Sequence, residues 1–204
     1  MSKLSDIHLA KADSLCHDWL TAQNSTIALL SSIANILQQR SATVQSSSSL
    51  IPEDTKSALL YKQTVMIEES LANFKSTCAR FRTIVKQMAA LENEAAKNAT
   101  YNLQEPEISN RPNTSAALIA VATISEYQVS IFISQIYSMY DQECKYKTTL
   151  SNQLYQQPRL DVNTVNDLLS LWSSQSKLDF SVERDMAERY ALYKKVKKVV
   201  EAKD

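Results

Sequence analysis

Not one of the chain's 204 residues is glycine. Average usage of about 7% would supply roughly fourteen. Glycine enters positive φ without steric cost, and tight hairpin turns, phosphate-cradling loops and nucleophile elbows depend on it. Its absence excludes, as written motifs, the dinucleotide-binding Gly-x-Gly-x-x-Gly, the Walker A loop, the kinase glycine loop and the Gly-x-Ser-x-Gly hydrolase elbow. β-Sandwiches and α/β folds are disfavoured with them. What remains is an all-α chain of long helices joined by polar loops, with 44% apolar residues to build a core.

The apolar spacing agrees. Trp19, Ala22, Thr26, Leu29, Ile33 and Ile36 recur by threes and fours, extended backward by Leu15 and Ala12 and widened by Leu30, Ala34 and Leu37. This predicts a first helix over about 6–40, with Asp6 as a cap and the serine-rich 41–51 as its end. A second helix over 52–97 opens on Pro52, Glu53 and Asp54 and carries Leu60, Thr64, Ile67, Leu71, Phe74, Cys78, Phe81, Val85 and Met88. Such a helix is a rod of about 65 to 70 Å. Residues 98–115, with two of the four prolines, read as a linker. A third helix over 116–156 carries Leu118, Ala122, Val129, Phe132, Ile136, Met139, Tyr146 and Leu150, edged by Ile133, Tyr137 and Tyr140, and Pro158 stops it. Two shorter helices follow, over 162–174 (capped by Asp161 or Asn163) and 182–202 (capped by Ser181). The expected architecture is one elongated antiparallel bundle over 1–204, three long helices and two short ones.

Lys plus Arg and Asp plus Glu are equal at 22 each, so no global field steers nucleic acid or an acidic membrane. Three scattered cysteines do not make a disulfide framework and fit a reducing compartment. No apolar run is long enough to span a bilayer, and the N-terminus has no signal-peptide core.

The inventory for chemistry is thin. His8 and His17 are the only imidazoles. Cys16 and His17 are adjacent on a helix and diverge by about 100°. Asp13 and His17 share a face but give two ligands where zinc needs three or four. Glu68–Glu69 and Glu92-x-Glu94 do not face each other on a helix. No catalytic, cofactor-binding or metal site is expected, and no small-molecule substrate. Lys194, Lys195, Lys197 and Lys198 form a basic cluster, read first as a complement to the negative end of the helix dipole and second as a weak nucleic-acid contact.

The segment SMYDQECKYKTTLSNQL followed by DLLSLW resembles the signature of the cyclin-dependent kinase 2-interacting protein family. The matching positions are Met139, Tyr140, Glu143, Lys147, Leu150, Leu154, Leu169 and Trp172, with Trp19 and Ile33-Ala34-Asn35 similar in the first helix. The resemblance implies a small, non-enzymatic adaptor, nuclear and also cytoplasmic. It implies protein partners: replication kinases, checkpoint factors, and an AAA+ ATPase assembly acting in replisome proteostasis and large ribosomal subunit maturation. Partner binding is expected of Tyr140, Glu143, Lys147 and Trp172, which form or buttress the interface. No proline follows a serine or threonine and no Arg-x-Leu or Lys-x-Leu docking pattern occurs, so any bound kinase must use a folded helical surface. The competing reading is a structural coiled-coil subunit of a cytoskeletal, kinetochore or vesicle-tethering complex. A small helical enzyme ranks last.

Overall fold

The computed structural model describes residues 3–47, 50–102, 124–157 and 160–201. They form an all-α fold of five helices: α1 Lys3–Gln45, α2 Glu53–Asn102, α3 Glu126–Gln156, α4 Val162–Ser174 and α5 Phe180–Glu201.

Several boundaries move from their expected places, each for a local reason. α1 runs through the first serines to Gln45 rather than stopping at Arg40, because Thr43 packs against α2 and the hydroxyls there bond back to the preceding turn without breaking it. Thr43 Oγ1 donates to the carbonyl of Gln39, and Ser46 Oγ to that of Thr43. Thr43 is also buried, accepting a bond from Gln63 Nε2 of α2. At its other end α1 begins at Lys3, so Asp6 lies in its first turn and is not its cap. α2 continues past Lys97 to Asn102, its extra turn buried through Ala99. Of the expected linker, 103–115 lies outside the described residues, as do Leu118 and Ala122.

α3 opens at Glu126 on a reciprocal capping box. Ser125 Oγ accepts from the amide of Gln128, and Gln128 Oε1 accepts from the amide of Ser125, both at 3.2 Å. α4 has its expected bounds and uses Asp161, whose carboxylate accepts from the amide of Thr164 at 2.9 Å. α5 starts two residues early because Asp179, not Ser181, is the cap; Asp179 Oδ1 takes both the amide and the hydroxyl of Ser181.

The chain divides into two compact units. The α5 unit comprises Met1–Asp18, Ile84–Gln142 and Lys177–Asp204; the α4 unit comprises Trp19–Thr83 and Glu143–Ser176. Leu9, Ala12, Leu15, Met88, Leu91, Val129, Ile133, Ile136 and Met186 fill the first core. Trp19, Ala22, Leu30, Ile33, Phe74, Phe81, Leu150, Val165, Leu168 and Trp172 fill the second. In each, threes-and-fours spacing on one helix meets the same spacing on another, and that burial outweighs intrinsic propensity as the source of helix stability.

Candidate partner-binding site

Three of the four residues singled out from the sequence meet in the α4 unit. Val165, Leu168 and Trp172 lie at i, i+3 and i+7 on α4 and are its buried face. Trp172 is fully enclosed, with Phe74 at 5.0 Å and Phe81 at 6.1 Å between ring centroids. Its indole N–H donates to Thr26 Oγ1 at 2.8 Å. Its backbone carbonyl belongs to the last turn of α4, where carbonyls lack intrahelical donors. Two tertiary donors supply them: Gln23 Nε2 at 2.9 Å and Lys147 Nζ at 2.8 Å.

Lys147 is 2% and Glu143 0% exposed, one turn apart on α3, with Nζ 3.2 Å from Oε1. The ammonium also lies 4.4 Å from the Trp172 ring centroid and 5.8 Å from that of Phe81. Burial lowers the Lys147 pKa to about 8, against the opposing pull of Glu143. α4 then ends on Gln175 in the left-handed region, φ 45° and ψ 48°, the only such residue among those described. Glycine is the usual occupant of that position. Here the glutamine side chain is held instead, Oε1 accepting from the Trp19 indole at 3.0 Å.

Tyr140 belongs to the α5 unit and to a different cluster. It is 1% exposed, and its hydroxyl donates to Glu183 Oε1 at 2.8 Å. Burial first, then the neighbouring Cys16 and Glu183, pushes the phenol far above its ordinary range. Burial likewise raises the Cys16 thiol to about 12 and that of Cys78 to about 11, so neither is a thiolate near neutrality. None of the four singled-out side chains reaches solvent; what their placement does is fix the ends and neighbours of α4 and α5. Lys194, Lys195 and Lys198 are exposed on α5. Asp13 and His17 are exposed on α1. Among the described residues no group of three or more His, Cys, Asp or Glu side chains is placed to hold a metal, and no helix is long and apolar enough to cross a membrane.

The open surface lies elsewhere, where the sequence pattern promised core. Leu60, Thr64, Ile67 and Leu71 continue the α2 stripe but are only half-covered. Thr64 and Ile67 of this stripe line a groove of about 820 Å³ in the α4 unit, with Leu37, Val44, Leu160 and Val162, and with Arg40, Glu68 and Asp161 among its polar members. Arg40 is tied down through Nη1 to the carbonyl of Leu60 and the hydroxyl of Thr64. Val44 in the groove is 55% exposed, and Leu50 and Tyr61 on the same hairpin are 78% and 74% exposed. Periodicity identified the stripe; it carried no information about which half would find a neighbour.

The described residues define an all-α helical protein with buried polar side chains in its cores and an apolar groove left open. The model of one family, described as ribosome biogenesis protein C1orf109-like, matches residues 9–186. The chain belongs to that family. No curated protein matches it. This corrects the resemblance to the cyclin-dependent kinase 2-interacting protein family. Of the positions carrying that resemblance on α3 and α4, all but Leu169 are buried. They record what a helical core needs around an enclosed Glu–Lys pair and a tryptophan, a demand that more than one family can meet.

Proposed function

We propose that this chain is a non-enzymatic adaptor in ribosome biogenesis, acting in the nucleus by holding protein partners. The observation that carries the reading is the family match over most of the chain. The groove supplies a place for it: an aliphatic floor suits the apolar face of a partner's amphipathic helix, and Glu68 at its edge favours a lysine or arginine on that helix. An AAA+ ATPase assembly that works on the large ribosomal subunit is the partner to seek first. Replication kinases, checkpoint factors and the AAA+ assembly were all implied by the corrected resemblance; the AAA+ assembly is sought first because its ribosomal role agrees with the family match.

Affinity purification of the tagged full-length chain from its own cells tests this. Large-subunit assembly factors, with AAA+ ATPase subunits among them, are expected in the wild-type eluate. Val44→Glu with Ile67→Glu should deplete them while the purified variant keeps its helical circular dichroism. A folded bait that recovers no ribosome assembly factor overturns the adaptor reading; an unchanged set with the double variant overturns the groove.

A further inference from the structure

We infer that the outer face of α5 is a binding site for the phosphate backbone of RNA, read without regard to base sequence. α5 buries Met186 and Tyr193. At about 100° per residue Arg184, Ala187, Ala191, Lys194, Lys195 and Lys198 fall on the solvent side of the helix, all exposed, with Glu188, Leu192 and Val199 exposed beside them.

The two halves of this helix treat charge differently. In the first, acids and bases alternate: Arg189 pairs with Asp185 at 3.0 Å, and Glu188 stands four residues after Arg184. In the second, no carboxylate stands three or four residues from Lys194 or Lys195 on either side. Their helical neighbours are one another: Lys194 and Lys198 are four apart, Lys195 and Lys198 three. Like charges so placed repel and weaken the helix. The helix dipole accounts for Lys198 alone, since its influence fades within the last turn and Lys198 is the basic residue there. Lys194 and Lys195 each keep their repulsion with Lys198 without that compensation, and a polyanion relieves it.

The site is also held in place. The Tyr190 ring lies 3.8 Å from Lys194 Nζ, and its hydroxyl donates to the carbonyl of Asp6 on α1 at 3.3 Å. Lys194 and Lys198 are about 6 Å apart along the axis, close to the separation of successive phosphates on one strand. Alanine at 187 and 191 leaves room on one flank of the lysines for a strand to approach, and exposed Leu192 and Val199 border the other flank of Lys195. The polyanion site rests on this geometry, and the choice of RNA rests on the family's place in ribosome biogenesis.

Fluorescence anisotropy of the full-length chain with labelled single-stranded RNA, between about 50 and 200 mM salt, tests the proposal. Three phosphate contacts on single-stranded RNA predict a slope of log K against log salt of about −2. Lys194→Gln, Lys195→Gln and Lys198→Gln combined should weaken binding at least tenfold at low salt and flatten the slope. Lys62→Gln with Lys86→Gln, exposed lysines on α2, should leave both unchanged. Absence of wild-type binding at low salt overturns the proposal, as does equal loss in the α2 control. So does an unflattened slope in a triple variant whose circular dichroism is native. DNA of the same length bound tenfold more tightly, or anionic vesicles bound in place of RNA, overturns the choice of ligand. The purification above reads protein partners, so either result can fail without the other.

Discussion

In the α4 unit, a full ion pair lies inside the core; in the α5 unit, the enclosed polar group at the nearby position on α3 is an uncharged phenol. Glu143 and Lys147 give up water entirely, and no Coulomb attraction returns that cost unless every proton finds an acceptor. Lys147 meets the condition through the carboxylate, the Trp172 carbonyl and two aromatic faces. Tyr140 has one proton to place and gives it to Glu183, which is only half-buried and keeps access to solvent. The charged solution specifies more. It fixes where α4 ends, with a cation at the negative pole of its dipole and a glutamine from α1 on the same carbonyl. The neutral solution ties two helices at one point and tolerates error. The α4 unit should therefore be the more brittle under substitution.

Trp172→Ala breaks it hardest. The change removes three aromatic and cationic contacts and the Thr26 bond from a fully enclosed site, with an expected cost of about 5 kcal/mol, the top of the range for such truncations. Denaturant titration reads the loss. Hydrogen exchange should show protection falling first in 19–83 and 143–176, the segments of that unit. Protection lost evenly from both units would mean that brittleness is not confined to one.

Lys147→Ala ranks next. It strands Glu143 as an unpaired buried charge, at about 3 to 4 kcal/mol. Replacing both, as Glu143→Leu with Lys147→Met, should recover most of that loss, because the desolvation cost disappears with the charges. A double variant as unstable as the single one would show that the pair gives the unit more than it costs, and the contrast with Tyr140 would need another basis.

Much of this was legible before any coordinates. Absence of glycine and threes-and-fours spacing gave the all-α class and the existence of each described helix, and Asp161, one of two cap candidates with Asn163, marked the start of α4. Ser125-Glu126-Tyr127-Gln128 carries a capping-box pattern as plainly, and reading it would have moved the start of α3 from 116 to Glu126. Three things were not legible. The left-handed position at Gln175 has no glycine to announce it and depends on a tryptophan 156 residues away. The burial of Glu143 and Lys147 is invisible in an i,i+4 pair, which looks the same on a solvated face. The half-covered stripe of α2 looks like core because periodicity reports a face and says nothing of its neighbour. Local signals place elements; partners across the chain decide what each face meets.

Tyr140→Phe tests the neutral side of the comparison. Only the phenol oxygen is lost, the ring still fills its place, and Glu183 can turn to water. A loss of about 1 kcal/mol is expected, the ordinary net worth of one hydrogen bond. A loss as large as that of Lys147→Ala would erase the distinction between the units.

His8 gives the smallest effect and the one that depends on pH. It is buried in the α5 unit, and burial lowers its pKa below the ordinary 6.5, outweighing Glu94, whose carboxylate stands 4.0 Å away and half-exposed. With the folded pKa the lower, the unfolded chain takes up a proton first as pH falls. Stability from this group is therefore complete above about 6.5 and lost as pH drops toward the folded value. Denaturation midpoints of wild type and His8→Gln, measured from pH 7.5 down to 5, should separate the contribution: the wild type loses stability faster across that window, by less than Tyr140→Phe costs. Parallel pH profiles would place the imidazole in contact with water.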